Sequence, residues 1–339
     1  MPPPRSPSPA APFRPAWWLT NPHLSTVWGK FFRSPPKVEA RVERWDTPDG
    51  DVVDIVRTRG TPDAPTFLLL HGLEGSLRSH YATGVLRAAQ RHGWQANLLV
   101  FRTCNGELNR APRSYHSGET TDLDFVVSRL HDERPQAPII LAGVSLGANV
   151  LLKWLGEQGP SAVGRIAAAT AVSTPFDLAR SCAHIETGFS RFYARNFLRS
   201  LKRKALEKVR QHPGIADPAC ILAADSLWAF DDAYTSVAHG FPDAADYYFR
   251  SSSIRYLHSV RVPTLLLSAR DDPFHPPEVL DDVARIASQN PALQMEFTDH
   301  GGHVGFVEGP SPRRVSYYLE RRLLEFGTAQ LATQSAVVT

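Results

Sequence analysis

Cysteine and methionine are scarce in this 339-residue chain, with three of the first and two of the second. Cys104, Cys182 and Cys220 stand far apart, in odd number and in no metal-ligand spacing. That spacing argues against a disulfide framework and a cysteine metal site, and a reduced, cytoplasmic setting is the expectation. No large charge imbalance is present either. Lysine and arginine total 37 against 34 acids, a net +3, and the two signs are interspersed, so no nucleic-acid footprint is expected. The opening MPPPRSPSPAAPFRP lacks an apolar core and reads neither as a signal peptide nor as a membrane span. A disordered proline-rich tail is expected over residues 1–16, and a second disordered tail over 328–339, where periodicity stops. No internal repeat is found.

What remains, with 42% apolar and 21% charged residues, has the composition of a soluble globular protein. Short β-rich runs fall at 38–45, 52–57, 66–70, 96–101, 139–143, 165–173, 264–269 and 293–298. The first two alternate polar and apolar residues, as an antiparallel pair with one wet face does. From 66 onward the runs are almost continuously apolar, as strands covered on both faces require. Helical patterns lie at about 79–92, 118–133, 146–158, 278–290 and 313–326. The alternation predicts one α/β domain over 17–327, a mostly parallel sheet with helices on both faces, whose ligands bind beyond the carboxyl ends of the strands. Residues of about 175–262 break the rhythm with aromatic- and arginine-rich helical patterns. They are expected to form a helical lid inserted over that edge; a separate helical domain is the other possibility.

The chemistry follows the strands. IILAG leads into Val144-Ser145-Leu146-Gly147 and then a helical pattern, the strand–turn–helix context of a nucleophile elbow. Glycines 143 and 147 suit a sharp turn in which a Cβ on either flank would strike the neighbouring strand or helix. The pentapeptide alone is weak evidence; its placement carries the reading. A nucleophilic serine needs a base, and the base an orienting acid, each on a later strand-ending loop. TLLLSA is followed by Arg270-Asp271-Asp272-Pro273, and LQMEFT by Asp299-His300-Gly301-Gly302-His303. Asp272 is chosen as the acid, with Asp271 as a loop-stabilising partner. His303 is chosen over His300 because two glycines free the backbone that presents it. The backbone amides of Leu73, in the HGLEG loop after the third run, and of Leu146 are the expected oxyanion donors. This chemistry calls for no metal and no organic cofactor.

Over most of its length the chain resembles the YheT-like branch of the α/β-hydrolases, also called AB hydrolase superfamily 4. The resemblance rests on Asn21-Pro22-His23-Leu24, HGLEGS (71–76), FRTCNGELNR (101–110), YHSGET (115–120), GVSLGAN (143–149), HGFPDAADYY (239–248), ARDDPF (269–274) and HGGHVGF (300–306). It implies a Ser–Asp–His carboxylesterase or lipase-like enzyme acting on acyl esters or lipids, with the family's serine on Ser145, its acid on the DDP stretch and its histidine on His303. Acyl transfer to alcohols and phospholipid cleavage by the same triad are the alternatives it implies, and a non-catalytic lipid-binding member is the more distant one. Eukaryotic members carry an N-terminal membrane anchor where this chain has its proline-rich segment.

Ser117 is expected to cap a helix beginning near Gly118, with Glu119 and Asp122 in its first turn. His116 reads as a hydrogen-bonded structural histidine, Cys104 as a packed thiol, and Asn105-Gly106 as a turn. Tyr247, Tyr248 and Phe249 are candidates for an acyl-pocket wall. The cationic run Arg191, Arg195, Arg199, Lys202, Arg203, Lys204 and Lys208 is expected to form a solvated lid face, with transient docking on an anionic membrane surface as the alternative. The oligomeric state is left open between monomer and higher forms.

Overall fold

The computed structural model describes residues 11–61 and 63–338. The chain runs through α1 (Pro22–Phe32), β1 (Ala40–Asp46), β2 (Val52–Thr58), β3 (Thr66–Leu70), α2 (Ala82–Arg91), β4 (Gln95–Val100), α3 (Thr121–Glu133), β5 (Ile139–Val144), α4 (Leu146–Gln158) and β6 (Ile166–Val172). After an all-helical segment come β7 (Thr264–Ala269), α11 (Glu278–Ala287), β8 (Leu293–Thr298), β9 (Val307–Ser311), β10 (Arg314–Tyr317) and α12 (Tyr318–Val338). That segment contains α5 (Leu178–Ile185), α6 (Arg191–Gln211), α7 (Pro218–Ala223), α8 (Leu227–Phe230), α9 (Ser236–His239) and α10 (Ala244–Ser251).

Among the described residues, eight strands form one sheet in the order β1-β2-β4-β3-β5-β6-β7-β8, antiparallel at β1–β2 and β2–β4 and parallel thereafter. Alternate strand residues feed two cores. Leu68, Leu70 and Leu141 pack with α3, α4 and α11, while Phe67, Leu69 and Ile140 pack with α2 and α12. Each fully buried leucine or phenylalanine contributes about 1.5–3 kcal/mol of transfer free energy, which explains why these strands read as unbroken apolar runs.

The ends differ from expectation. The expected tail over 1–16 falls outside the described residues up to 10. Beyond that, residues 11–16 lie against the body: the Phe13 ring sits 5.6 Å from Phe306, and the Ala16 amide donates to Val307 O at 3.0 Å. One aromatic anchor and a backbone bond outweigh the proline-rich composition. At the other end, α12 continues through most of the stretch expected to be disordered, with Leu331 packed on the core and Gln334 Nε2 donating to Ala167 O at 3.1 Å. The helix expected from 313 begins only at Tyr318. Before it, Arg314–Tyr317 alternates exposed and half-buried residues and pairs with β9 as a hairpin. α1, which no periodicity announced, starts from an Asn21 cap that accepts from the amides of His23 and Leu24, with proline in its first turn.

The helix expected from Gly118 starts at Thr121, and Ser117 is not its cap. Glu119 Oε1 accepts from the Thr121 amide at 2.6 Å, whereas the Ser117 amide donates to Tyr247 Oη at 3.0 Å. The segment between β6 and β7 carries two small cores of its own, around Leu198, Ile221 and Phe230 and around Leu178, Tyr247 and Tyr248. Asn149 of α4 ties it to the main body through Ser251 O and the Ser253 amide, at 2.8 and 2.9 Å.

Candidate active site

Ser145 follows β5 directly. Its own amide extends the ladder to Val172 O at 2.8 Å, and its backbone is then forced to φ +55° and ψ −122° so that α4 can begin. A non-glycine residue in that region costs on the order of 1–3 kcal/mol, a strain typical of sites over-determined by their surroundings. Gly147 makes the turn possible: a Cβ there would come 2.5 Å from His71 O. Asp272 lies three residues beyond β7 and His303 five beyond β8.

The structure brings the three together. His303 Nε2 lies 2.9 Å from Ser145 Oγ, and His303 Nδ1 lies 2.8 Å from Asp272 Oδ2. Asp272 also accepts from the Phe274 amide at 2.8 Å, and the Phe274 ring stacks on His303 at 3.9 Å and 14°. Burial pushes the Asp272 carboxyl up, but the neighbouring His303 and His275 imidazoles outweigh it and hold it well below the usual carboxylate range. Asp271 instead takes the Gly302 amide at 2.8 Å and faces His300 at 3.3 Å. His300 is half exposed and does not approach Ser145.

The loop presenting His303 is braced by α1, which explains why Asn21-Pro22-His23-Leu24 belongs with the site. Thr26 Oγ1 accepts from the His303 amide at 2.9 Å, and Ser25 Oγ donates to Gly301 O at 3.0 Å. Gly302 sits at φ +59° with Pro22 O 2.6 Å from where a Cβ would be, so both conformation and space demand glycine.

The HGLEG loop lies on the other side of Ser145. A Cβ built on Gly72 would come 3.1 Å from Ser145 Cβ. Its geometry is locked at several points. The buried His71 ring accepts the Phe101 amide on Nε2 at 3.1 Å, so Nδ1 carries the proton donated to Gly72 O at 2.8 Å. Burial lowers the His71 pKa to about 4, which keeps the ring neutral in that role. Tyr81 Oη takes the Gly72 amide at 2.8 Å and Tyr115 Oη the Glu74 amide at 2.9 Å. Among the described residues the amides of Leu73 and Leu146 have no acceptor. They are spare donors beside the serine, the second at the positive end of α4.

A cavity of about 610 Å³ opens over Ser145 and His303. Its outer part is lined by Val27, Lys30 and Phe31 of α1 and by Arg78. Its inner part runs under the inserted helices past Leu178, Ile185, Leu227, Phe230 and Tyr248. That is within the ~300–1,000 Å³ of small-molecule sites, and its walls are mostly apolar. Asp231 lies in the inner part within a π-turn, bonded by Tyr248 Oη at 2.6 Å, and burial raises its pKa to about 6.

Phe249 departs from expectation: it is 55% exposed and carries Arg255 on its face, outside the cavity that Tyr247 and Tyr248 line. Residue 249 points away because α10 turns it 100° from Tyr248. The cationic run on α6 is not one solvated face. Lys208 is buried and bonds Asn109 O and Ala111 O at 2.5 and 2.6 Å, and Lys204 pairs with Glu74 at 2.7 Å. His116 is partly buried at the cavity wall and accepts the Gly118 amide at 3.1 Å. Burial pushes the Cys104 thiol up to about 12. His275, missed in the sequence, is buried with Nε2 3.3 Å from Asp272 Oδ2 but without hydrogen-bond alignment.

A serine–histidine–aspartate constellation on the carboxyl edge of a mostly parallel sheet places the molecule among proteins of the α/β-hydrolase fold. The family model for that fold matches residues 65–310. The chain is 38% identical to "Putative esterase YheT" of Escherichia coli (strain K12), over 97% of this chain and 96% of the relative. It is 31% identical to "Phospholipase ABHD3" of Homo sapiens, over 94% and 79%. A solved structure of the Pyrococcus furiosus esterase Pf2001 shares the fold at 20% identity and a TM-score of 0.58, over 87% of this chain and 92% of that one. The chain belongs to the α/β-hydrolase family, and within it to the esterase- and lipase-type hydrolases of the YheT-like branch.

Proposed function

We propose that this hydrolase is a serine carboxylesterase that cleaves short- to medium-chain acyl esters through an acyl-enzyme on Ser145. The observation that carries the reading is the in-line run Ser145 Oγ–His303 Nε2, His303 Nδ1–Asp272 at 2.9 and 2.8 Å, opening on an apolar cavity. His303 Nε2 takes the hydroxyl proton as Oγ attacks the ester carbonyl, while Asp272 accepts from Nδ1–H and stabilises the imidazolium. The Leu73 and Leu146 amides receive the oxyanion. As the intermediate collapses, His303 returns the proton to the leaving alcohol. Water activated by the same histidine then attacks the acyl-enzyme, and Ser145 is regenerated. The acyl chain lies under the inserted helices of about 175–262, which serve as a lid within a single domain.

A phospholipase or acyltransferase reading of the same triad is favoured by one observation. Lys30 and Arg78 are exposed cations on the outer cavity wall, placed to meet an anionic head group. Contact with a membrane surface would then be peripheral, since among the described residues no helix is long and apolar enough to cross one. Three free cysteines support a cytoplasmic setting.

The test is hydrolysis of a p-nitrophenyl ester series of rising acyl length by the wild type and Ser145→Ala. The expected result is an optimum at short to medium chains that the substitution abolishes. Equal rates for the two proteins would sink the proposal.

A further inference from the structure

The loop that carries Leu73 is tied to the inserted helix α6 through the next residue. Glu74 holds a left-handed backbone, φ +56°, although it is not glycine. Its carboxylate accepts from Lys204 Nζ at 2.7 Å, from Tyr115 Oη at 2.9 Å and from Ser200 Oγ. Ser200 and Lys204 lie one turn apart on the same face of α6. The ion pair is largely withdrawn from water, with 12% of the Glu74 side chain and 20% of the Lys204 side chain exposed. Burial pushes the Glu74 carboxyl up, but Lys204, Ser200 and Tyr115 outweigh it and hold the group ionised.

A withdrawn ion pair is a poor source of stability, because desolvation cancels most of the attraction. Two apolar side chains would join helix to loop at least as well. What the pair supplies is direction. Three donors from two elements fix a carboxylate whose backbone sits in a strained region, and strain of about 1–3 kcal/mol persists only where surroundings over-determine it. The residue so fixed is bonded to Leu73, which lines the cavity over Ser145 and whose amide has no acceptor among the described residues.

We propose that Lys204, with Ser200, is a positioning residue that acts through Glu74 on the Leu73 amide, so that the oxyanion site is complete only while α6 is docked. This rests on the serine-esterase reading and on Leu73 as a donor. Lid placement and transition-state stabilisation thereby share one joint, and a helix more than a hundred residues away in sequence sets the rate of the chemical step.

The experiment uses the full chain with a p-nitrophenyl ester and a trifluoromethyl ketone, whose serine hemiketal carries the oxyanion. For Lys204→Met the expectation is a kcat lower by about 10- to 100-fold, below the ~10²–10³ of losing a donor outright. KM should stay within about twofold, and ketone affinity should weaken by the same factor as kcat/KM. Lys204→Arg should recover most of the loss. Ser200→Ala, which removes one uncharged donor to the carboxylate and serves if the first variant fails to fold, should show the same split at about 3- to 10-fold. Unchanged kcat in an active, folded Lys204→Met or Ser200→Ala protein overturns the joint and leaves the esterase reading intact. So does a fall in kcat with ketone affinity unaltered. A wild type whose activity survives Ser145→Ala, or that cleaves no ester, overturns both.

Discussion

Ser145, Asp272 and His303 each sit within five residues of a parallel strand, whereas Lys204 and Lys208 lie on helix α6, the second in its last turn, in an insertion that contains no strand. The difference lies in what holds each group. On the sheet side, position is set by backbone: the ladder from Ser145 to Val172, the tight approach of Gly147 to His71 O, and the left-handed Gly302 against α1. On the insertion side it is set by side chains reaching across, with Lys204 on Glu74, Lys208 on two carbonyls of the 105–113 loop, and Asn149 on the segment's far end. Backbone devices are rigid and locally encoded. Side-chain ties are individually replaceable, and each can be cut by one substitution without disturbing the sheet.

That contrast can be broken where it is strongest. Asp272→Asn should leave the fold intact, because the Phe274 amide still has an oxygen to meet, yet lower kcat by about 10⁴-fold through loss of the imidazole's orientation and charge partner. Steady-state kinetics and a melting curve check it; a decrease of tenfold or less would remove Asp272 from the role. A smaller effect is expected on the insertion. Burial lowers the Lys208 pKa to about 8. Between that value and the ordinary lysine range the unfolded chain binds a proton that the folded chain does not, so stability should rise with pH across that window. Below about 8 that contribution is lost. Lys208→Met should flatten the rise and cost about 1–3 kcal/mol at neutral pH, since the Asn109 and Ala111 carbonyls lose their charged donor and keep only amide donors at 3.3 Å. Chemical denaturation at pH 7, 8.5 and 10 measures both, and a wild-type stability that falls over that range would contradict the sign.

The same contrast explains what the sequence made legible. Buried parallel strands are continuous apolar runs, so the chemistry-bearing loops could be located by counting from their ends, and Ser145, Asp272 and His303 emerged as a set. Residues 18–37 carry no such run, and α1 is announced only by Asn21-Pro22, a capping signal lying outside any obvious periodicity. The strand at 314–317 is four residues of weak alternation next to a strong helical pattern, so the helix absorbed it. On α6 the pattern was misleading for a physical reason. Lysines 204 and 208 are one turn apart and read as part of a basic stripe, but the stripe's inward edge meets Glu74 and two carbonyls contributed by loops 97 to 130 residues away. No local period encodes such partners. Glu74 itself was in view within HGLEG, yet a lone acid in a turn has no partner until the chain folds.

The central claim is that Ser145 is a nucleophile activated by His303. Its most direct test is treatment of the wild type with a fluorophosphonate, followed by mass spectrometry of the peptide containing Gly143-Val144-Ser145-Leu146-Gly147. The account predicts one adduct, on Ser145, absent from Ser145→Ala and strongly slowed in His303→Ala. An adduct on another residue, or labelling that persists undiminished in Ser145→Ala, would contradict it.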